Sequence, residues 1–211
     1  MTSMEGAMPD DVTATLRTAY DRAADDRDQK EPEPWKRAYR QAFLDLVQAE
    51  QGHTLLEVGP GPGKDSLFFQ QAGLDVTAVD LSPVMVELCR QKGLRAQAGD
   101  IREQGFGSAA FDAVYAMNCL LHVPKQELPA VLGEIQRVLK PTGLFYLGLW
   151  GGQDSEGSWA GDTYEPKRFF SMHTDDGIRA AVAPFFDELS FEATDHGSSG
   201  HFQRLILRRR G

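Results

Sequence analysis

Cysteine is scarce in this chain: Cys89 and Cys119 are the only two among 211 residues. They show no paired metal-ligand spacing, and a chain this long can bury a core without crosslinks. Both are therefore expected as buried small apolar side chains rather than as a disulfide. Long apolar runs are missing too, since nothing approaches the roughly 18 residues that cross a bilayer, and no membrane partner is expected. The opening "MTSMEGAMPDD" lacks the basic stretch and apolar core of a secretory leader, so a cytoplasmic protein is expected. Positive charge is also short. A formal net charge of −9 disfavours a nonspecific grip on nucleic-acid backbones or anionic membranes. The one basic cluster, Arg208 to Arg210, has no basic or aromatic stripe beside it and reads as a solvated strand end. Acids with metal-ligand spacing are absent, which leaves no metal site to expect.

What is present is the material of one globular domain. Residues 10 to about 30 are polar with a helical lean, and "EPEP" at 31–34 separates them from the rest of the chain. Residues 1–34 are expected to form an N-terminal helical lid and residues 35–211 the body. The stretch from residue 35 places Trp35, Tyr39, Phe43, Leu46 and Val47 on one helical face, which predicts an amphipathic helix packed on that body. From residue 53 the pattern alternates. "TLLEVG", "LDVTAVD", "LRAQAGD", "FDAVYAM" and "GLFYLGLW" read as strands, with helices such as "SPVMVELCRQKG" and "KQELPAVLGEIQRVLK" between most of them. "KPTG" at 140–143 supplies a stop and a turn. This alternation argues for a parallel sheet with helices on both faces. Later, "GGQDSEGSWAGDTYEP" is long for a connection and reads as a functional or mobile loop; a helix from "TDDGIRAAVAPFF" and two closing strands, "FDELSFEAT" and "HFQRLILRRR", come after it.

The stretch "LLEVGPGPGKDS", residues 55–66, carries the first chemistry. A nicotinamide dinucleotide loop wants G-x-G-x-x-G, but Lys64 stands where its third glycine belongs. The observed G-x-G-x-G comes after an acid, Glu57, which could accept from water or from the ammonium of an amino-acid ligand; a pyrophosphate would gain nothing from it. Asp80 ends the next strand, where a doubly wound sheet reads ribose hydroxyls. Asp100 ends the one after, placed to accept from an adenine amine with Ile101 packed on the ring. Three acids at three strand ends would surround a nucleoside that carries an amino acid.

With these motifs in order, residues 35 to about 150 resemble the class I S-adenosylmethionine-dependent methyltransferases of the small-molecule type. The resemblance implies a Rossmann-like, doubly wound, seven-stranded α/β sheet, mostly parallel with an antiparallel last strand. It implies S-adenosylmethionine as cofactor and S-adenosylhomocysteine as product. Gly59, Pro60, Gly61 and Gly63 would form the loop around the methionine part, with Glu57 helping to hold its amino group through the loop or a water. Asp80 would take the ribose, Leu81 and Ser82 would flank sugar and adenine, and Gly99, Asp100 and Ile101 would take the adenine. Ser82 serves equally as the N-cap before Pro83. Asn118 would lie near the methionine end, and Tyr20 and Trp35 would close over the cofactor.

A methyl sulfonium is an activated donor, so catalytic side chains can be few. His122 is the first candidate base, although it could equally orient its loop or bind the cofactor, and His173 is the second, although it could cap the following helix. Trp150, Trp159, Tyr164, Phe169 and Phe170 could wall an acceptor pocket or anchor the late loop. The fourth strand lacks the Asp/Asn-Pro-Pro-aromatic motif of nucleic-acid amino-methyltransferases, which favours a small-molecule acceptor methylated on oxygen or nitrogen by in-line displacement. A nucleotide-dependent oxidoreductase, a transfer-RNA wobble-uridine methyltransferase and a noncatalytic S-adenosylmethionine-binding regulator are the rivals.

Overall fold

Three helices open the computed structural model, which describes residues 9–197 and 200–211, so residues 1–8 of the expected lid lie outside the described residues. They are α1 (Pro9–Arg22), α2 (Ala24–Gln29) and α3 (Pro34–Ala49). Alternation begins there, with β1 (Thr54–Val58), α4 (Lys64–Gln71), β2 (Asp75–Asp80), α5 (Pro83–Gln91) and β3 (Arg95–Ala98). Then come β4 (Phe111–Met117), α6 (Leu128–Val138) and β5 (Leu139–Gly151). A hairpin of β6 (Ser155–Ser158) and β7 (Phe169–Met172) precedes α7 (Asp175–Val182), β8 (Phe186–Asp195) and β9 (His201–Arg209).

The main sheet runs β3-β2-β1-β4-β5-β9-β8, parallel from β3 to β5, with β9 antiparallel to both neighbours. Its central strands are apolar on both sides because both sides are covered. On one face Leu56, Val114, Phe145 and Leu205 pack with Val131, Leu132 and Ile135 of α6 and Ile178 of α7. On the other, Leu55, Tyr115 and Tyr146 pack with Phe43 and Val47 of α3 and Phe69 of α4. Thus α3 is core, as its apolar face predicts, while α1 lies against α5 with Val12, Leu16 and Ala19 buried.

Two local expectations change. The stretch read as a loop after β5, residues 151–166, contains β6, which pairs with β7 just beyond it; the pairing joins residues more than ten apart and leaves no periodicity in Gly- and Ser-rich sequence. "KPTG" is not a separate turn: Leu139 already pairs with Phe111, and the register then shifts around Thr142, at φ 65°, before Leu144 pairs with Ala113. Strand order creates the site. The chain steps outward from β1 to β3 and returns to β4 on the other side of β1, so the carboxyl ends of β1 and β4 part and leave a crevice.

Candidate active site

At the end of β1 the chain turns on three glycines, all with positive φ: Gly59 at 69°, Gly61 at 55° and Gly63 at 83°. Their surroundings divide the work. A Cβ on Gly63 would stand 2.6 Å from Leu94 Cδ1 and 2.8 Å from Cys89 Sγ, so this glycine lets α4 start close against α5 and the turn before β3. Gly59 and Gly61 line the crevice. The Gly61 N–H donates to Asp80 Oδ2 at 3.0 Å, which fixes the loop to the end of β2.

Two cavities meet over this loop. The first, about 770 Å³ with its mouth, is lined by Gly59, Gly61, Asp80, Leu81, Gly99, Asp100, Ile101 and Asn118, and closed from above by Leu16 and Tyr20 of α1. The second, about 1190 Å³ with its mouth, lies beneath the linker from α2 to α3 and includes Glu57, Pro60 and Asn118. Arg27 of α2, Gly59, Met117 and Asn118 border both.

Asp80 is buried against the first cavity, its Oδ1 held by the Ser82 N–H at 2.9 Å, and burial pushes its carboxyl up to about 6. Glu57 is only 2% exposed and accepts from the Ser66 hydroxyl; burial, then the nearby Asp65 charge, raises it well above the carboxylate range. Asp100 reaches the cavity but already holds Arg102 through both oxygens, at 2.9 and 2.7 Å; burial opposes its charge, and the guanidinium outweighs burial to lower its pKa. Ser82 is fully buried away from both cavities and caps α5 by accepting from the Met85 N–H at 3.1 Å.

His122 stands on the wall of the first cavity with both ring nitrogens engaged. Nδ1 lies 2.6 Å from the Phe169 carbonyl, which can only accept, so Nδ1 carries the proton and Nε2 accepts from the Tyr20 hydroxyl at 2.6 Å. Burial lowers the imidazole to about 4, which keeps it neutral. Tyr20 in turn accepts from Arg168 Nη1 at 3.2 Å, and Arg168 is clamped by Asp162 at 2.7 and 3.0 Å. The Arg168 guanidinium lies 3.6 Å over the Tyr164 ring and Phe170 packs on His122, so two members of the expected acceptor wall are packed into the closure and line neither cavity. His173 is buried at the end of β7 outside both cavities, where its carbonyl accepts from Gly152 and Gln203. Trp35 is also elsewhere: it stacks on His196 at 4.3 Å and packs edge-on to Trp150 and Phe202.

Sequence reasoning missed Arg27, Leu16, Asp162 and Arg168. Arg27 comes from the charged run "DDRDQK", where nothing separates it from a solvated residue. Yet its guanidinium stands over Gly61, with Nη2 3.6 Å from where a Cβ would be, and its buried Nε has no partner among the described residues. Asn118, left-handed at φ 54°, likewise has a buried Oδ1 without a partner among them. Arg27 Nη1 donates to the Tyr164 hydroxyl at 3.2 Å, which leaves the Nε as a free cationic donor; with the free Asn118 acceptor at the seam and a buried acid at the end of β2, it fits a nucleoside bearing an amino acid.

Residues 56–147 match the family model described as a methyltransferase domain. Over that segment the chain is similar to the class I S-adenosylmethionine-dependent methyltransferases. Among named relatives of this chain, 24-methylenesterol C-methyltransferase 2 of Oryza sativa subsp. japonica is 31% identical over 123 residues, which are 54% of this chain and 33% of that protein. The ubiquinone biosynthesis O-methyltransferase of Xanthomonas oryzae pv. oryzae is 36% identical over 121 residues, 54% of this chain and 48% of that one. The chain thus spans half or less of these relatives' length. The 1,6-didemethyltoxoflavin-N1-methyltransferase of Burkholderia thailandensis, solved with 1,6-didemethyltoxoflavin and S-adenosylhomocysteine, superimposes with a TM-score of 0.77. Its identity is 23% over 100% of this chain and 94% of that one, a likeness of fold. No helix among the described residues is long and apolar enough to cross a membrane, and no group of three or more His, Cys, Asp or Glu among them could hold a metal ion.

Proposed function

We propose that this chain transfers a methyl group from S-adenosylmethionine to an oxygen or nitrogen of a small molecule, with residues 1–34 as a lid and residues 35–211 as one catalytic domain. The observation that carries the donor half is the seam where Asp80, Arg27 and Asn118 surround the glycine loop. Bound S-adenosylmethionine supplies a methyl already activated on a sulfonium, so the chain must mainly position, enclose and exclude water. Asp80 would hold the ribose hydroxyls, and Gly99, Asp100 and Ile101 the adenine edge, with Leu81 and Val123 as apolar walls. Arg27 would take the carboxylate of the amino-acid end, and Asn118 Oδ1 with Glu57 its ammonium. Tyr20 and Leu16 roof the cavity. With its Nε2 lone pair held by Tyr20, His122 anchors that roof in the closed state instead of accepting a proton.

The acceptor class is supported by the relatives, whose names specify a sterol, ubiquinone biosynthesis and a toxoflavin precursor. Their methylated atoms differ, so they do not select one here. The net charge of −9 also favours a small molecule over RNA. The test is incubation with methyl-labelled S-adenosylmethionine and a cell extract split into small-molecule, RNA and protein fractions. Label is expected in small metabolites. Label confined to RNA would overturn the acceptor class and favour the transfer-RNA enzyme; donor binding without label in any fraction would favour the regulator.

A further inference from the structure

The two cysteines take no part in the function proposed above, yet both touch the glycine loop. Cys119 lies directly after Asn118 at the end of β4, and its thiol donates to the Val58 carbonyl at 3.0 Å. Cys89 comes from the last turn of α5, and its thiol donates to the Gly61 carbonyl at 3.3 Å. They bear on the loop at different points: a Cβ on Gly59 would stand 2.4 Å from Cys119 Cβ, and one on Gly63 would stand 2.8 Å from Cys89 Sγ. Between these anchors the loop amides are fixed as well, Gly59 to the Val79 carbonyl at 2.8 Å, Gly61 to Asp80 and Gly63 to the Pro60 carbonyl at 3.1 Å.

We propose that Cys89 and Cys119 are positioning residues of the cofactor site, two thiol donors that hold the Val58 and Gly61 carbonyls and thereby set the Gly59–Gly61 backbone before any ligand arrives. The link to the cofactor rests on the donor assignment above; the anchoring itself does not. A thiol is a small apolar body with a weak S–H donor, which suits a place where a side chain must both pack and satisfy a carbonyl. Alanine loses the donor, whereas serine keeps it. The role requires the proton to stay on sulfur, and burial ensures that it does, pushing Cys89 up to about 12 and raising Cys119 likewise. Cys89 is buried, and Cys119 is half-buried on the wall of the first cavity; with both thiols held protonated, anchoring rather than covalent chemistry is the use the site makes of them.

The S–H stretching bands of the ligand-free wild-type protein test this directly. Both bands are expected at lower frequency than a free thiol, each vanishing in the corresponding Cys→Ala variant; bands at the free-thiol position would overturn the proposal. Cys119→Ala should speed hydrogen exchange of the Gly59–Gly63 amides and raise the dissociation constant for S-adenosylhomocysteine about five- to tenfold, the scale of one lost hydrogen bond. Cys119→Ser should recover most of both. Equal losses in the serine and alanine variants would mean packing alone and would also overturn it. If wild-type protein fails to bind S-adenosylhomocysteine, the donor assignment falls, while the infrared and exchange results still decide whether the thiols anchor the loop.

Discussion

Asp80 is buried, held by two backbone N–H groups and shifted upward to about 6. A carboxyl with a higher pKa folded than unfolded contributes stability that is complete below the unfolded value, near 4, and lost as pH rises through the folded one. Ligand-free stability is therefore expected to fall between about pH 4 and 6, by up to ~3 kcal/mol from this group, and Asp80→Asn should flatten that stretch of a urea-unfolding series. Binding should run the other way. Ribose hydroxyls favour the ionised acid, so affinity for S-adenosylhomocysteine should weaken below about pH 6, and Asp80→Ala should cost about 1.5–3 kcal/mol by calorimetry. Unchanged affinity would remove the ribose assignment. The glycines separate similarly. Gly63→Ala should lower thermal stability with collisions at Leu94 and Cys89, whereas Gly61→Ala, with its nearest neighbour 3.6 Å away, should cost only about 1–2 kcal/mol of backbone strain. Asp80 was legible because an acid at a strand end has a topological meaning. Arg27 was not, because its partners lie across the fold and its local sequence is that of a solvated helix.

At the scale of elements, the strands and core helices were legible from alternation and from caps such as Ser82 and Thr174, the latter accepting from the Gly177 N–H at 3.0 Å. The β6–β7 hairpin was not, since Ser-Glu-Gly-Ser carries no strand pattern until Phe169–Met172 pairs with it. The roof is held by tertiary bonds: Tyr20 to His122, Arg17 Nε to the Leu81 carbonyl at 3.1 Å, Lys92 to Asp28 at 2.7 Å, and Lys64 to the carbonyls of Arg27 and Lys30. Tyr20→Phe should leave the fold intact and release S-adenosylhomocysteine about three- to tenfold faster in stopped flow, the scale of one hydrogen bond. Deleting residues 1–34 should leave a folded sheet, since α3 and its Phe43, Leu44 and Val47 remain, but a slow or leaky enzyme; full activity would reject the lid.

For the whole molecule, alternation made the doubly wound sheet legible and the family resemblance implied its antiparallel last strand, whereas the acceptor was not legible, and neither cavity over the loop is walled by the late aromatic residues that were expected to meet it. The acidic charge gives a check at this scale. The protein should leave the mobility of transfer RNA unchanged at physiological ionic strength, and a salt-sensitive shift would reopen the RNA acceptor. The roof bonds also span most of the chain, since Tyr20 meets His122 across 102 positions and Arg168 across 148. During synthesis Tyr20 of α1 precedes by 102 and 148 positions the two groups that hold it. The nascent chain can dock its α1 on α5 early, through contacts such as Arg17 to Leu81, but the roof is latched only once His122 and Arg168 have followed.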